Sequence, residues 1–159
     1  MKERSVSEIE RRLAELGHAL PPVNPPQGNY LPYQRAGNLV FVAGQGPRLD
    51  GRLVYQGIVG GDLGLDEGRK AAQLCALNIL AQLQHACGGD LSRVVRMVRV
   101  AGLVRCTVDF GDQAKVLNAA SDLICAVLGE AGPHARIASG THALPSGMAV
   151  EIEAIAEVA

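Results

Sequence analysis

HARIASGTHALPSGMAVEIEAIAEV, residues 134–158, decides how the rest of the chain is read. It carries one arginine, Arg136, beside the small or apolar residues Ala135, Ile137 and Ala138. A turn, Leu144-Pro145-Ser146-Gly147, separates that arginine from a period-two pattern. Residues two apart on a strand share a face. Val150, Ile152, Ala154, Ala156 and Val158 therefore form one face, and Ala149, Glu151, Glu153, Ile155 and Glu157 the other. The first face suits packing against helices. The second is too acidic for the core of a single chain, so it meets water or another subunit. A partly buried guanidinium needs an anionic partner, and it holds a carboxylate in a two-bond fork. A glutamate among apolar neighbours has a raised pKa, which suits proton transfer. Arg136 and Glu151 are the candidate pair for a small anion pocket, and Glu153 shares the strand face and apolar flanks of Glu151.

Working outward, Asp112–Leu128 predicts a long helix. Val116, Leu117, Ala120, Leu123, Ile124, Val127 and Leu128 fall on one face at helical spacing, and Gly129 and Gly132-Pro133 stop it. Val94–Val108 is rich in β-formers, with Arg96, Arg99 and Arg105 interleaved. Asp66–Cys87 predicts the other long helix, with Asp66 and Glu67 at its positive end and Gly88-Gly89 after it. The glycines of Gly57–Gly64 mark a loop. Asp50-Gly51 is a hairpin-turn signal leading into Arg52–Tyr55. Asn38–Ala43 predicts a strand whose continuous apolar run suggests burial on both faces. Before it, Pro21, Pro22, Pro25, Pro26 and Gly28 exclude helix and central strand. Nearer the N-terminus, Ser5 or Ser7 caps a short helix ended by Gly17, with Ile9, Leu13 and Leu16 on one face. Residues 1–30 thus read as a helix and a Pro-rich connector, and 31–159 as the main domain. The order β-β-α-β-α-β-β predicts an α+β fold: a mixed β-sheet with two long helices packed on one face.

Composition narrows the function classes. Apolar residues make up 48% of the 159, and the net charge is −1. That is a globular domain, not a disordered tail or a surface that coats nucleic acid. With three Tyr, two Phe and no Trp, the core is aliphatic. Cys75, Cys87, Cys106 and Cys125 form no C-x-x-C pair and read as buried free thiols, and no Cys/His cluster suggests a metal. The charged N-terminus shows no secretory core and no run spans a membrane, so the expected compartment is cytoplasmic. His18, His85, His134 and His142 form no catalytic set by spacing and read as surface or packing residues. Arg93, Arg96, Arg99 and Arg105 lack aromatic partners for stacking, so nucleic-acid binding is disfavoured. Gly44-Gln45-Gly46-Pro47 can offer backbone N–H groups to an anion, but it is no dinucleotide fingerprint.

Several pieces together resemble the reactive intermediate/imine deaminase (Rid) family, also called the YjgF or endoribonuclease L-PSP family. They are Pro32-Tyr33, Val42–Pro47, Val116–Ala120 with Asn118, Ala135-Arg136, Leu144-Pro145 and Val150–Ala156. The longer N-terminal and Gly57–Gly64 regions look like a longer subgroup. The resemblance implies a bacillary chorismate mutase-like fold and a homotrimer with ligand clefts between subunits. It implies hydrolytic deamination of reactive 2-imino or enamino acids to 2-keto acids and ammonia, of the 2-iminobutanoate/2-iminopropanoate type, with no cofactor. Arg136 matches the arginine that clamps the substrate carboxylate, and Glu151 the glutamate that orients or activates water. Tyr33 and Asn118 match cleft residues, Gly44 a glycine whose amide holds substrate, and Ala138 a position acting through its carbonyl. The chain departs at Ala43, where the family has serine, and at Ala138, where it has cysteine. Binding of a small keto acid without turnover is the alternative, and a ribonuclease or translation-inhibitor role is the weakest reading.

Overall fold

The computed structural model describes residues 7–159. In chain order its elements are α1 (Glu8–Glu15), β1 (Tyr33–Ala36), β2 (Leu39–Gln45), β3 (Arg48–Leu49), β4 (Arg52–Leu53), α2 (Leu65–Ala86), β5 (Val94–Arg105), α3 (Gln113–Leu128), β6 (Ala135–Thr141) and β7 (Val150–Val158). Five strands form one sheet in the order β1-β2-β7-β5-β6. β5 and β6 run parallel, and the other neighbours are antiparallel. This is the mixed α+β sheet expected, with α2 and α3 laid against one face.

Alternation along β7 explains that layering. Val150, Ile152, Ala154, Ala156 and Val158 are all buried against the helices. They meet the apolar stripes of α2 (Ala72, Cys75, Ile79, Leu83) and α3 (Val116, Leu117, Ala120, Ile124) in one continuous core. The helices lie close because β5 has a glycine at Gly102, where a Cβ would overlap the Leu117 side chain. Cys75 belongs to this core and its thiol meets the Val150 carbonyl at 3.6 Å. Burial, reinforced by the charge of Glu151, pushes that thiol well above its ordinary pKa, so it is a packing residue. Cys87 is also buried, whereas Cys106 and Cys125 are only partly covered.

α1 is a capped helix docked on the same body. The Ser7 hydroxyl accepts from the Glu10 N–H at 3.1 Å, and the Glu10 carboxylate accepts from the Ser7 N–H at 2.9 Å. Ser5, the other candidate cap, lies outside the described residues. Leu13 joins the main core, and Gly17 leaves the helix at φ 78°. Leu16, on the same sequence face, is exposed, because it already lies at the helix end.

One strand was not anticipated and two local expectations are corrected. Tyr33–Ala36 is an edge strand, paired with Leu39–Val42; an edge tolerates the preceding proline because one side of it needs no donor. β2 is not buried on both faces: Val40 and Val42 are, while Phe41 is 43% exposed, since the helices cover only one side. Arg52–Tyr55 does not join the main sheet. Only Arg52–Leu53 is strand, paired with Arg48–Leu49 in a separate hairpin. Its Asp50 and Gly51 both have positive φ, 51° and 76°, as a type I′ turn requires. Among the described residues, no helix is long and apolar enough to cross a membrane.

Candidate functional site

The uncovered sheet face carries Glu151. A one-residue irregularity prepares it. Val42 pairs with Ala154 and Gln45 with Ile152, so β2 spends three steps where β7 spends two. The extra residue falls at Ala43-Gly44, a β-bulge that turns the strand end away from regular pairing. Gly44 then lies directly against the Glu151 side chain: a Cβ there would overlap its carboxylate. Burial raises the Glu151 pKa above its ordinary value, and the charge of Glu153 adds to the effect. Glu151 borders two hollows. One, about 370 Å³, lies over the open face beside Leu103, Ile137 and Ser139. The other is a groove of about 480 Å³ between the bulge, the Pro145–Met148 turn and the Pro-rich connector.

Arg136 faces the other way. It pairs across β6–β5 with Val100, and Val100 pairs with Ala154, both on the helix-covered side. Glu151 shares its cross-strand row with Leu103 and Ser139 on the opposite side. Within one chain the two residues therefore build no common pocket. Arg136 is instead held on α3: its Nη1 donates to Asn118 Oδ1 at 2.9 Å and to Ser121 Oγ at 3.1 Å. Its Nη2 reaches the Ala114 carbonyl at 3.5 Å. Among the described residues it has no carboxylate partner. Ala138, two residues on, packs partly buried against the core.

Ser121 and His134 extend this cluster and were not legible as site residues. His134 Nδ1 lies 2.7 Å from the Gly132 carbonyl, and its Nε2 lies 2.9 Å from Ser121 Oγ. A carbonyl only accepts, so Nδ1 carries the hydrogen. In the neutral ring Nε2 then accepts from the Ser121 hydroxyl, whose lone pairs face Arg136. The signal was present as spacing: Asn118 and Ser121 sit three apart on one helix face.

Tyr33 is placed apart from both groups, on β1, the far edge of the sheet from β6. Its hydroxyl lies 2.8 Å from His85 Nδ1 on α2. The six candidate residues thus fall into three places: Arg136, Asn118 and Ala138 at one edge, Gly44 and Glu151 on the open face, Tyr33 at the other edge. Arg96 and Arg105 of β5, and Arg93 just before it, bond within the chain, while Arg99 is exposed. Arg96 pairs with Glu157 at 2.7 Å, Arg93 donates to the Cys87 and Ala159 carbonyls, and Arg105 to that of Gly147. Among the described residues, no group of three or more His, Cys, Asp or Glu gathers as a metal site would.

A family model described as YjgF/chorismate mutase-like, putative endoribonuclease, matches residues 10–158. The chain belongs to this YjgF family. Protein TCP17 of Trypanosoma cruzi is 41% identical over 151 residues, 94% of each chain. Protein Atu1372 of Agrobacterium tumefaciens, described with unknown function, shares 45% identity and superposes at TM-score 0.90, covering 95% of this chain and 92% of its own. A Shewanella oneidensis MR-1 structure that carries the family's endoribonuclease description shares 37% identity at TM-score 0.92, covering 96% of this chain and all of its own. The YjgF assignment agrees with the mixed sheet and the helices laid against it.

Proposed function

We propose that the protein hydrolyses 2-imino or enamino acids to 2-keto acids and ammonia, in a cleft shared between subunits of a homotrimer. The observation that carries this reading is Glu151: a half-buried carboxylate of raised pKa, seated against Gly44 on a sheet face no helix covers. Such a carboxylate is a competent base near neutral pH. It takes a proton from water as the oxygen bonds to the imine carbon. The proton passes to nitrogen and gives a carbinolamine; the same carboxylate then takes the proton of the new hydroxyl and delivers it to the amine, so that the carbonyl forms as the C–N bond breaks and ammonia leaves the keto acid. An imine is already electrophilic, so positioning and one acid/base group are adequate.

On this reading the carboxylate clamp is an arginine of a second subunit. Arg136 has the right chemistry, and it stands on edge strand β6, preset by Asn118 and Ser121. Phe41, Leu103 and Ile137 are exposed large apolar residues on the same side as Glu151, the kind of surface a second copy covers. One experiment tests the shared site. Imino acid is generated in situ by an amino-acid oxidase, and its decay is followed with wild type, Arg136→Ala, Glu151→Gln, and the two variants refolded together. Each variant alone is expected to lose about a hundredfold or more in rate. The mixture is expected to regain part of it, because some clefts receive an intact arginine from one subunit and an intact glutamate from another. Wild type no faster than buffer would sink the enzyme reading. No recovery in the mixture would sink the shared cleft.

Ala43 favours a second reading, binding without turnover, because it lines the Glu151 groove where the family offers a serine hydroxyl. On that reading a keto acid raises the melting temperature, Arg136→Ala abolishes the rise, and no imine decays faster. RNA cleavage, suggested by the relatives' description, sits poorly with a groove that holds Glu151 and Glu153, since both repel phosphate. RNA left intact by nuclease-free protein removes it.

A further inference from the structure

The described residues contain three fully buried polar side chains, Gln45, Asn78 and Gln82, the last two only 1% exposed. All three spend their amide hydrogens on the walls of one groove, the one that contains Glu151. Gln82 Nε2 donates to the Asn24 carbonyl at 3.1 Å. Asn78 Nδ2 donates to the carbonyls of Gly46 and Arg48 at 3.1 and 2.9 Å. Gln45 Nε2 donates to the Ala43 carbonyl at 3.1 Å. Asn24, Ala43, Gly46 and Arg48 all line the groove. Asn78 and Gln82 are one helical turn apart on α2, so a single helix face pins two opposite walls: the connector and the end of β2.

Buried amides are costly unless bonded, and leucine at these positions of α2 would pack without that cost. Their placement is explained by what they hold. They fix irregular backbone, a bulge and a Pro-rich strand-like connector, that has no ladder of its own to define its shape. The groove so fixed is of mixed chemistry. Beside Gly44 it is lined by Glu151 and Glu153, with Gln27, Arg48 and Ser146 as further polar groups, and Pro25, Pro26, Tyr30, Pro32 and Met148 present rings and a thioether. At about 480 Å³ it is far roomier than a one-carbon substituent needs.

We infer that this groove is the side-chain subsite of the protein, and that it selects acids carrying a bulky apolar side chain, branched aliphatic or aromatic, over alanine-sized ones. This rests on the reading of Glu151 as the reacting end. The substrate's imine carbon lies at Glu151 and its side chain runs along the proline and tyrosine wall. Tyr30, 47% exposed on the connector, is the specificity-determining residue accessible to mutation without disturbing the core.

The experiment compares kcat/KM for imines generated from alanine, leucine and phenylalanine. The leucine-to-alanine ratio is expected at about tenfold to a hundredfold in wild type. Tyr30→Ala and Gln82→Leu are both expected to lower that ratio, the first by removing a wall and the second by releasing the connector. A ratio near one, or a uniform fall for all three imines with the ratio kept in Tyr30→Ala, overturns the inference. If no imine is turned over, the same ratio is read from calorimetric binding of pyruvate, 4-methyl-2-oxopentanoate and phenylpyruvate. Graded affinity then retains the subsite and removes only the enzyme reading, while flat affinity overturns the subsite. Absence of both turnover and binding overturns the two together.

Discussion

The two faces of β7 are built from alternate residues of one strand, yet they do opposite work. Toward the helices, Val150, Ile152, Ala154, Ala156 and Val158 are sealed in an aliphatic layer. One residue away in each case, Glu151, Glu153, Ile155 and Glu157 look out from a face that no helix among the described residues covers. A period of two lets a single strand be structural on one side and chemically poised on the other. The neighbouring strands repeat the division, with Val100 and Val104 buried while Leu103 lies exposed. What differs is tolerance: the inner face has no room to rearrange, and the outer face does.

The sharpest break in this contrast is sought by truncation on each face. Ile152→Ala is expected to lower the unfolding free energy by about 2–5 kcal/mol, the cost of a buried methylene set and the cavity it leaves. Glu153→Ala is expected to stay within about 0.5 kcal/mol. Urea denaturation measures both, and equal losses would mean the outer face is as tightly built as the inner. The glycines make a finer test. A Cβ at Gly102 meets the Leu117 side chain in the core, and one at Gly44 meets the Glu151 carboxylate. Gly102→Ala is expected to cost about 1–3 kcal/mol through overpacking. Gly44→Ala is expected to cost less, because a carboxylate on the open face can swing aside, and instead to remove activity by displacing Glu151. Equal costs would show that Glu151 is clamped.

The smallest effect is the pH dependence. The folded-state pKa of Glu151 is raised, first by burial and then by Glu153. The folded protein therefore holds this proton more tightly than the unfolded chain. The resulting stability is present in full below the ordinary carboxylate pKa and is lost as pH rises through the folded value. Glu151→Gln is expected to flatten that part of the stability profile, with a gain over wild type on the high-pH side that vanishes in acid. Glu153→Gln, which removes only the second cause, is expected to flatten it less. Parallel profiles for wild type and Glu151→Gln would remove the perturbed carboxylate.

Most of the architecture was legible because local signals agreed. The stripes of α2 and α3, their glycine stops, the alternation of β7 and the Asp50-Gly51 turn each named an element correctly. β1 was missed because Pro32 and its neighbours signal a loop, and only pairing with β2 makes Tyr33–Ala36 a strand. The exposure of Phe41 was missed because a short apolar run does not say how many layers will cover it. Glu151 and Gly44 were legible by resemblance, but their contact depends on a bulge that no spacing reveals. Asn78 and Gln82 did leave a trace, as polar residues on the buried phase of a helix. Which carbonyls they meet is decided by distant chain: Gln82 meets Asn24 of the connector, 58 residues earlier, and Asn78 meets Gly46 and Arg48, 32 and 30 residues earlier.

The place of β7 in the sheet also bears on how the molecule comes into being. It follows all its neighbours in the chain, yet it lies between β2 and β5 rather than at an edge. During synthesis the β1-β2 pair and the β5-β6 pair emerge first and have no direct partner in each other. Without β7 no strand joins the two pairs into one sheet. Folding of this chain is thus expected to be committed late, and a ribosome-stalled product lacking β7 is expected to be a client for chaperones rather than a smaller version of the same fold.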